Sequence, residues 1–169
     1  VAKFIRLFIT RHDRWNSPKY IGGESYGTVR SAALARELQD GQGIYLNGIL
    51  LVSSILDFGT VRTSGGNDLP YALYLPTMAA AAWYHGKVDR ERYPDLDSVI
   101  SASESFAIEK FLPALAKGSS LSSDETDVIV EKLHEFTGLS QQMLRRSNLR
   151  VGPTRFRKEL LRDRATIIG

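Results

Sequence analysis

The chain contains no cysteine. Disulfides and thiolate metal sites are thereby excluded, and the compartment is left open. There is no H-E-x-x-H motif and no carboxylate cluster, so the sequence calls for no metal and no cofactor. No apolar run reaches the roughly 18 residues that a bilayer span requires, and no membrane span is expected. Charge of one sign is also lacking. The net charge is +3 and the pI near 9.2, with Lys and Arg mixed among Asp and Glu. Without a sustained basic stripe, nucleic acid is not an expected partner. The densest basic stretch, Arg155-Phe156-Arg157-Lys158, opens a helix-like segment and reads as a solvated face.

What is present is a core-forming composition, 43% hydrophobic and 24% charged, as in a globular domain. Phe4, Leu7 and Phe8 sit at helical spacing and predict the end of an amphipathic helix. Trp15-Asn16-Ser17-Pro18 breaks it. Lys19-Tyr20-Ile21-Gly22 reads as a short buried strand. The segment from Thr28 to Leu38 reads as a helix, with Val29, Ala32, Ala33 and Leu38 as its packing face. "LNGILLVS", residues 46–53, reads as a strand buried on both faces. Helix, strand, glycine turn, helix, strand predicts a parallel βαβ unit.

The pattern changes near Gly65-Gly66-Asn67, which reads as a flexible connection. Beyond it only helices are expected: Tyr71 to Trp83, Ser101 to Lys117, Ser122 to Phe136, and about Thr154 to Asp163. Ser122 and Glu125 form a capping-box pattern, and Gly138 a stop. Thr154 is the expected cap of the last helix. The aromatic group Tyr71, Tyr74, Trp83 and Tyr84 reads first as core. The expected organisation is a core segment over 1–66, a helical insertion over 67–150 and a return segment over 151–169.

Gly23-Glu24-Ser25-Tyr26-Gly27 is a G-x-S-x-G turn between that strand and that helix, the arrangement of a nucleophile elbow. Gly23 and Gly27 relieve a sharp turn on which Ser25 must sit strained. Ser25 then lies at the positive end of the helix, and the Tyr26 N–H points at a developing oxyanion. The competing reading is a βα turn whose serine merely caps the helix.

"YIGGESYG" followed by a small-residue helix resembles the serine carboxypeptidase family, the carboxypeptidase C and cathepsin A type. The family pattern is G-E-S-Y-[AG]-G. In Gly23-Glu24-Ser25-Tyr26-Gly27-Thr28 one small residue before the final glycine is missing or shifted. "LNGILLVSSILDF" and "NDLPYALYLPTMAAAAWYHGK" are similar to a bacterial branch. The resemblance implies a partial α/β-hydrolase fold followed by a mainly helical cap. It also implies a peptide substrate with a free C-terminal carboxylate and a secreted or periplasmic location. Ser25 would be the nucleophile, Tyr26 the backbone oxyanion donor, and Glu24 the contact to the substrate carboxylate. Two carboxylates share a hydrogen bond only when one holds a proton, so binding would be best in mild acid. The alternative role for Glu24 is a buried brace of the turn.

A triad also needs a base and an orienting carboxylate. His12, His85 and His134 read as surface or helix-end residues. Neither Asp57 nor Asp163 lies where the family keeps its acid. The chain opens on a patterned segment without an initiator Met. It is expected to be an internal piece, with base and acid beyond residue 169 and the second oxyanion donor before residue 1. The 169 residues alone are expected to fold and hydrolyse poorly. The alternatives are an acyltransferase or esterase on the same fold, or a non-catalytic binding relative. Glu24 favours the peptidase, because the acyltransferases often carry Asp there.

Overall fold

Apolar residues recur along the first ten positions, and they wind into α1 (Ala2–Arg11). A tight turn follows, in which Asp13 takes a positive φ of 53°. The computed structural model describes residues 1–168. Strand β1 (Tyr20–Glu24) leads through Ser25 into α2 (Tyr26–Arg36), which continues as a π-helical turn over Glu37–Gly41. Strand β2 (Gly48–Val52) returns parallel to β1, Tyr20 opposite Gly48 and Glu24 opposite Val52. The predicted βαβ unit is therefore present. Among the described residues the sheet has these two strands, so the protein is a helix-rich α/β structure.

The chain divides into two compact units, Val1–Phe58 and a second beginning at Gly59. The first has a small core of Ala2, Ile9, Leu38 and Ile44, with Ile5, Leu34 and Leu46 half-buried around it. Three expectations about this unit are corrected. The stripe of α1 that packs is Ala2-Ile5-Ile9, whereas Phe4 and Leu7 are each 69% exposed. Helix α1 carries apolar residues around most of its circumference, and the unit has enough structure to cover one stripe only. On α2 the buried positions are Thr28 and Ser31, and Leu38 is buried in the turn that follows; Ala32 and Ala33 face outward. Finally, β2 is not buried on both faces: Leu50 is 59% exposed, and Tyr20 on β1 is exposed as well. Helix α2 packs against both strands, but each strand is also an edge, and no second layer lies on the sheet within the unit.

The second unit is helical, as predicted. Its elements are α3 (Leu69–Tyr84), α4 (Leu96–Phe106), α5 (Leu112–Lys117), α6 (Ser123–Thr137), α7 (Gln141–Arg146) and α8 (Pro153–Glu159). A π-helical turn, Ala107–Phe111, joins α4 to α5 in one continuous run. The run starts earlier than the pattern suggested, because the Asp95 side chain accepts the Ser98 N–H at 2.7 Å and caps α4. The capping box forms on α6, and Gly138 ends that helix at φ 66°. Glycine is required there twice over, since an added Cβ would also lie 2.6 Å from Lys87 Cβ. The cap of α8 is Gly152, not Thr154. Pro153 has its φ preset and no N–H to satisfy, so it takes the first helical position and moves the start forward.

The core of this unit joins α3, α4 and α6 through Leu75, Val99 and Val130, and it includes Val151, Phe156, Leu160 and Leu161. The segment set apart from residue 151 thus packs with the helices; Gly169, its last residue, lies outside the described residues. Asp68 and Arg150 form a bidentate pair, Nε–Oδ1 2.6 Å and Nη2–Oδ2 2.7 Å, and Arg150 also donates to the Leu115 carbonyl. One guanidinium therefore ties the start of α3 to the end of α5. The Gly65-Gly66 turn is held by Asn67, whose amide donates to the carbonyls of Gly59 and Arg62.

Candidate active site at the β1–α2 turn

The turn is as sharp as the sequence demanded. Ser25 adopts φ 54°, ψ −120°, a region that non-glycine residues occupy at a cost on the order of 1–3 kcal/mol. Gly23 makes the turn possible. A Cβ there would lie 2.1 Å from the Gly27 carbonyl oxygen and 2.6 Å from Ser31 Oγ. No side chain fits that space. A Cβ on Gly27, in contrast, would meet nothing within 4 Å. Gly27 contributes its backbone to the close approach and is not itself restricted to glycine, a correction to the expected symmetry of the motif.

The peptide groups on both sides of Ser25 are fixed. Its N–H donates to the Val52 carbonyl at 3.0 Å, extending the ladder one residue past β1. Its carbonyl accepts the Thr28 N–H at 3.0 Å and the Thr28 hydroxyl at 2.7 Å. Ser25 is exposed, and its hydroxyl does not cap the helix, since no side-chain cap bond forms at α2. The capping reading of this serine therefore fails. Tyr26 is the first residue of α2, so its N–H has no carbonyl one turn back to receive it. Its ring is 57% exposed, with the Arg30 guanidinium 5.8 Å from the centroid.

Glu24 ends β1 and is exposed. That position is incompatible with a buried brace and leaves the carboxylate open to solvent. At the neighbouring strand end, Ser53 takes a φ of 52°, which turns the chain away directly after Val52 has accepted the Ser25 N–H. Ser25, Glu24 and Ser53 thus share the carboxyl edge of a parallel sheet, where open α/β sheets place their ligands.

The other candidate residues have local roles. His12 ends α1, its ring 4.4 Å from that of Phe8. His85 ends α3 and meets Tyr84 edge-on. His134 Nδ1 lies 2.7 Å from the Leu139 carbonyl oxygen. Asp163 is paired with Lys87 at 2.7 Å, and that ammonium holds its carboxyl below the usual range. Asp57 follows β2 near the end of the first unit. Trp83 donates to the Tyr93 carbonyl at 2.8 Å and lies under Arg90. It is structural, as are Tyr71 and Tyr74, which pack on the helical core; Tyr84 is 74% exposed. A groove of about 450 Å³ in the helical unit is lined by Leu115, Gly118, Thr126 and Arg145. Its cations are already engaged, Arg145 by Asp127 and Arg150 by Asp68, so it is the weaker candidate.

Sequence reasoning misses Thr28 and Ser53. It places Thr28 only at the start of a helix, although a Thr three residues after a candidate nucleophile is a readable signal for a bond back to its carbonyl. No positive-φ signal marks Ser53. Among the described residues no cluster of His, Asp and Glu could hold a metal ion, and no helix is long and apolar enough to cross a membrane. No protein-family model matches the chain, and no curated protein and no solved structure matches it.

Proposed function

We propose that this chain carries the nucleophile elbow of an α/β-hydrolase and acts as a serine carboxypeptidase. The observation that carries the reading is the strained conformation of Ser25, φ 54°, ψ −120°, between a parallel strand and a helix. Strain of this kind persists where the surroundings over-determine it, and it concentrates at functional sites. Ser25 Oγ attacks the carbonyl carbon of the last peptide bond, and its proton passes to a base. The tetrahedral oxyanion accepts the Tyr26 N–H. As the intermediate collapses, the base returns that proton to the leaving nitrogen; the C-terminal residue departs as an amine and leaves an acyl-serine, which water hydrolyses. None of His12, His85 and His134 is assigned as that base, since each makes a local contact of its own.

Exposed Glu24 distinguishes a peptidase from an esterase in this reading. Its carboxylate shares a proton with the C-terminal carboxylate of the substrate, so binding weakens as pH rises and that proton is lost. The test uses blocked dipeptides in two forms, with a free C-terminal carboxylate and with an amide. The free acid is expected to be cleaved faster, best in mild acid, with that acid preference diminished in Glu24→Gln. Equal turnover of acid and amide would remove the carboxypeptidase assignment.

A further inference from the structure

We infer that Thr28 is a positioning residue that sets the geometry of both Ser25 and the Tyr26 N–H. The inference rests on the reading of Ser25 as a nucleophile. Any helix start can supply the backbone bond from Thr28 N–H to the Ser25 carbonyl. The hydroxyl bond at 2.7 Å is additional, and at this position only a Ser or Thr side chain supplies it. Thr28 is 3% exposed, so water does not compete for that carbonyl from the side that Thr28 covers.

The consequence follows from the planarity of the peptide group. The Ser25 carbonyl and the Tyr26 N–H belong to one plane and point in opposite directions. Gripping the carbonyl oxygen with two donors fixes the plane, and with it the direction of the N–H. The Val52 carbonyl fixes the preceding plane through the Ser25 N–H at 3.0 Å. Between two fixed planes the Ser25 Cα–Cβ bond has a single direction. Thr28 touches neither substrate nor reacting atoms; it acts through Ser25.

Three forms test this in the intact protein: wild type, Thr28→Val, which keeps the shape without the hydroxyl, and Thr28→Ser, which keeps the hydroxyl. The probe is a fluorophosphonate, whose adduct places an oxygen where the oxyanion forms. Thr28→Ser is expected within about threefold of the wild-type labelling rate. Thr28→Val is expected to be slower by about 10- to 100-fold, below or near the loss seen when an oxyanion donor is removed outright. With a dipeptide substrate the loss should fall on kcat and leave KM unchanged, and Thr28→Ser should restore it. Equal labelling of all three forms overturns the inference, and so does a Thr28→Ser form as slow as Thr28→Val. Should Thr28→Val not fold, Thr28→Ala replaces it against the same Thr28→Ser control. The backbone amide shifts of Tyr26 give an independent reading. They should move without the hydroxyl and stay with Thr28→Ser; shifts identical in all forms overturn the positioning role whether or not Ser25 reacts. Failure of wild type to label at Ser25, with the amide shifts behaving as expected, strikes the nucleophile reading and leaves the positioning geometry standing.

Discussion

The unit beginning at Gly59 and the unit Val1–Phe58 treat their apolar side chains in opposite ways. The helical unit buries Leu75, Val99 and Val130 to 1% exposure or less and closes a continuous core around them. The βαβ unit buries Leu38 and Ile44 but leaves Phe4, Leu7, Leu50 and Leu51 about half exposed or more. Helices satisfy their backbone internally and need only a partner stripe. A parallel sheet needs cover on two faces and two edges. The unit with the thinner core carries the strained serine, whose backbone is held by Val52 and Thr28. The helical unit carries the denser packing, and its ion pairs brace helix ends.

That contrast can be broken by substitution, with hydrogen exchange reading each unit separately. The largest effect is expected from Leu75→Ala, at a cost of about 2–5 kcal/mol, seen as lost protection across α3, α4 and α6. Unchanged protection there would show that the helical core is looser than its burial implies. Gly23→Ala is next. Its Cβ would meet the Gly27 carbonyl oxygen at 2.1 Å, and overpacking of this kind costs about 1–3 kcal/mol. Exchange should rise in β1 and α2 while the helical unit is unaffected.

Tyr93→Phe is expected to cost about 1–2 kcal/mol, because the Tyr93 hydroxyl donates to Glu135 Oε1 at 2.5 Å. It also has a pH signature. Burial, and then the bond to Glu135, pushes the Tyr93 phenol from 10.0 up to about 12. The folded value is the raised one, so this stabilisation is full below pH 10 and is lost as pH rises toward 12. Melting temperatures of Tyr93→Phe should lack that part of the alkaline decline; an identical decline in both forms would show that Tyr93 does not contribute to it. The smallest effect is expected from Leu50→Ser. With the side chain 59% exposed, stability should change by no more than about 0.5 kcal/mol. A large loss would mean that this strand is covered in solution.

How much of this is legible in the sequence divides along the same line. Local signals are readable: the βαβ order, the Ser122–Glu125 capping box, the Gly138 stop, and the serine turn, though not that Gly23 alone of its two glycines is sterically required. Facing directions are not. Helix α1 has two apolar stripes, and only the presence of Leu38 and Ile44 decides that Ile9 packs and Phe4 does not. An apolar run such as Ile49 to Val52 reports that a strand wants cover, not that cover is present. Pairings distant in sequence, such as Asp68 with Arg150, leave no mark on either local stretch. The Thr28 bond is within reach, since it spans one turn, and the strain at Ser25 is expected from the motif; the angles at which it is held, φ 54° and ψ −120°, come from the structure.

The most direct measurement is fluorophosphonate labelling of the intact protein, with the adduct located by peptide mapping. One modified residue is expected, Ser25, with no labelling of the Ser25→Ala form. Equal labelling of both forms, or a wild-type protein that stays unmodified while its β1–α2 turn is protected from exchange, would contradict the assignment of Ser25 as a nucleophile.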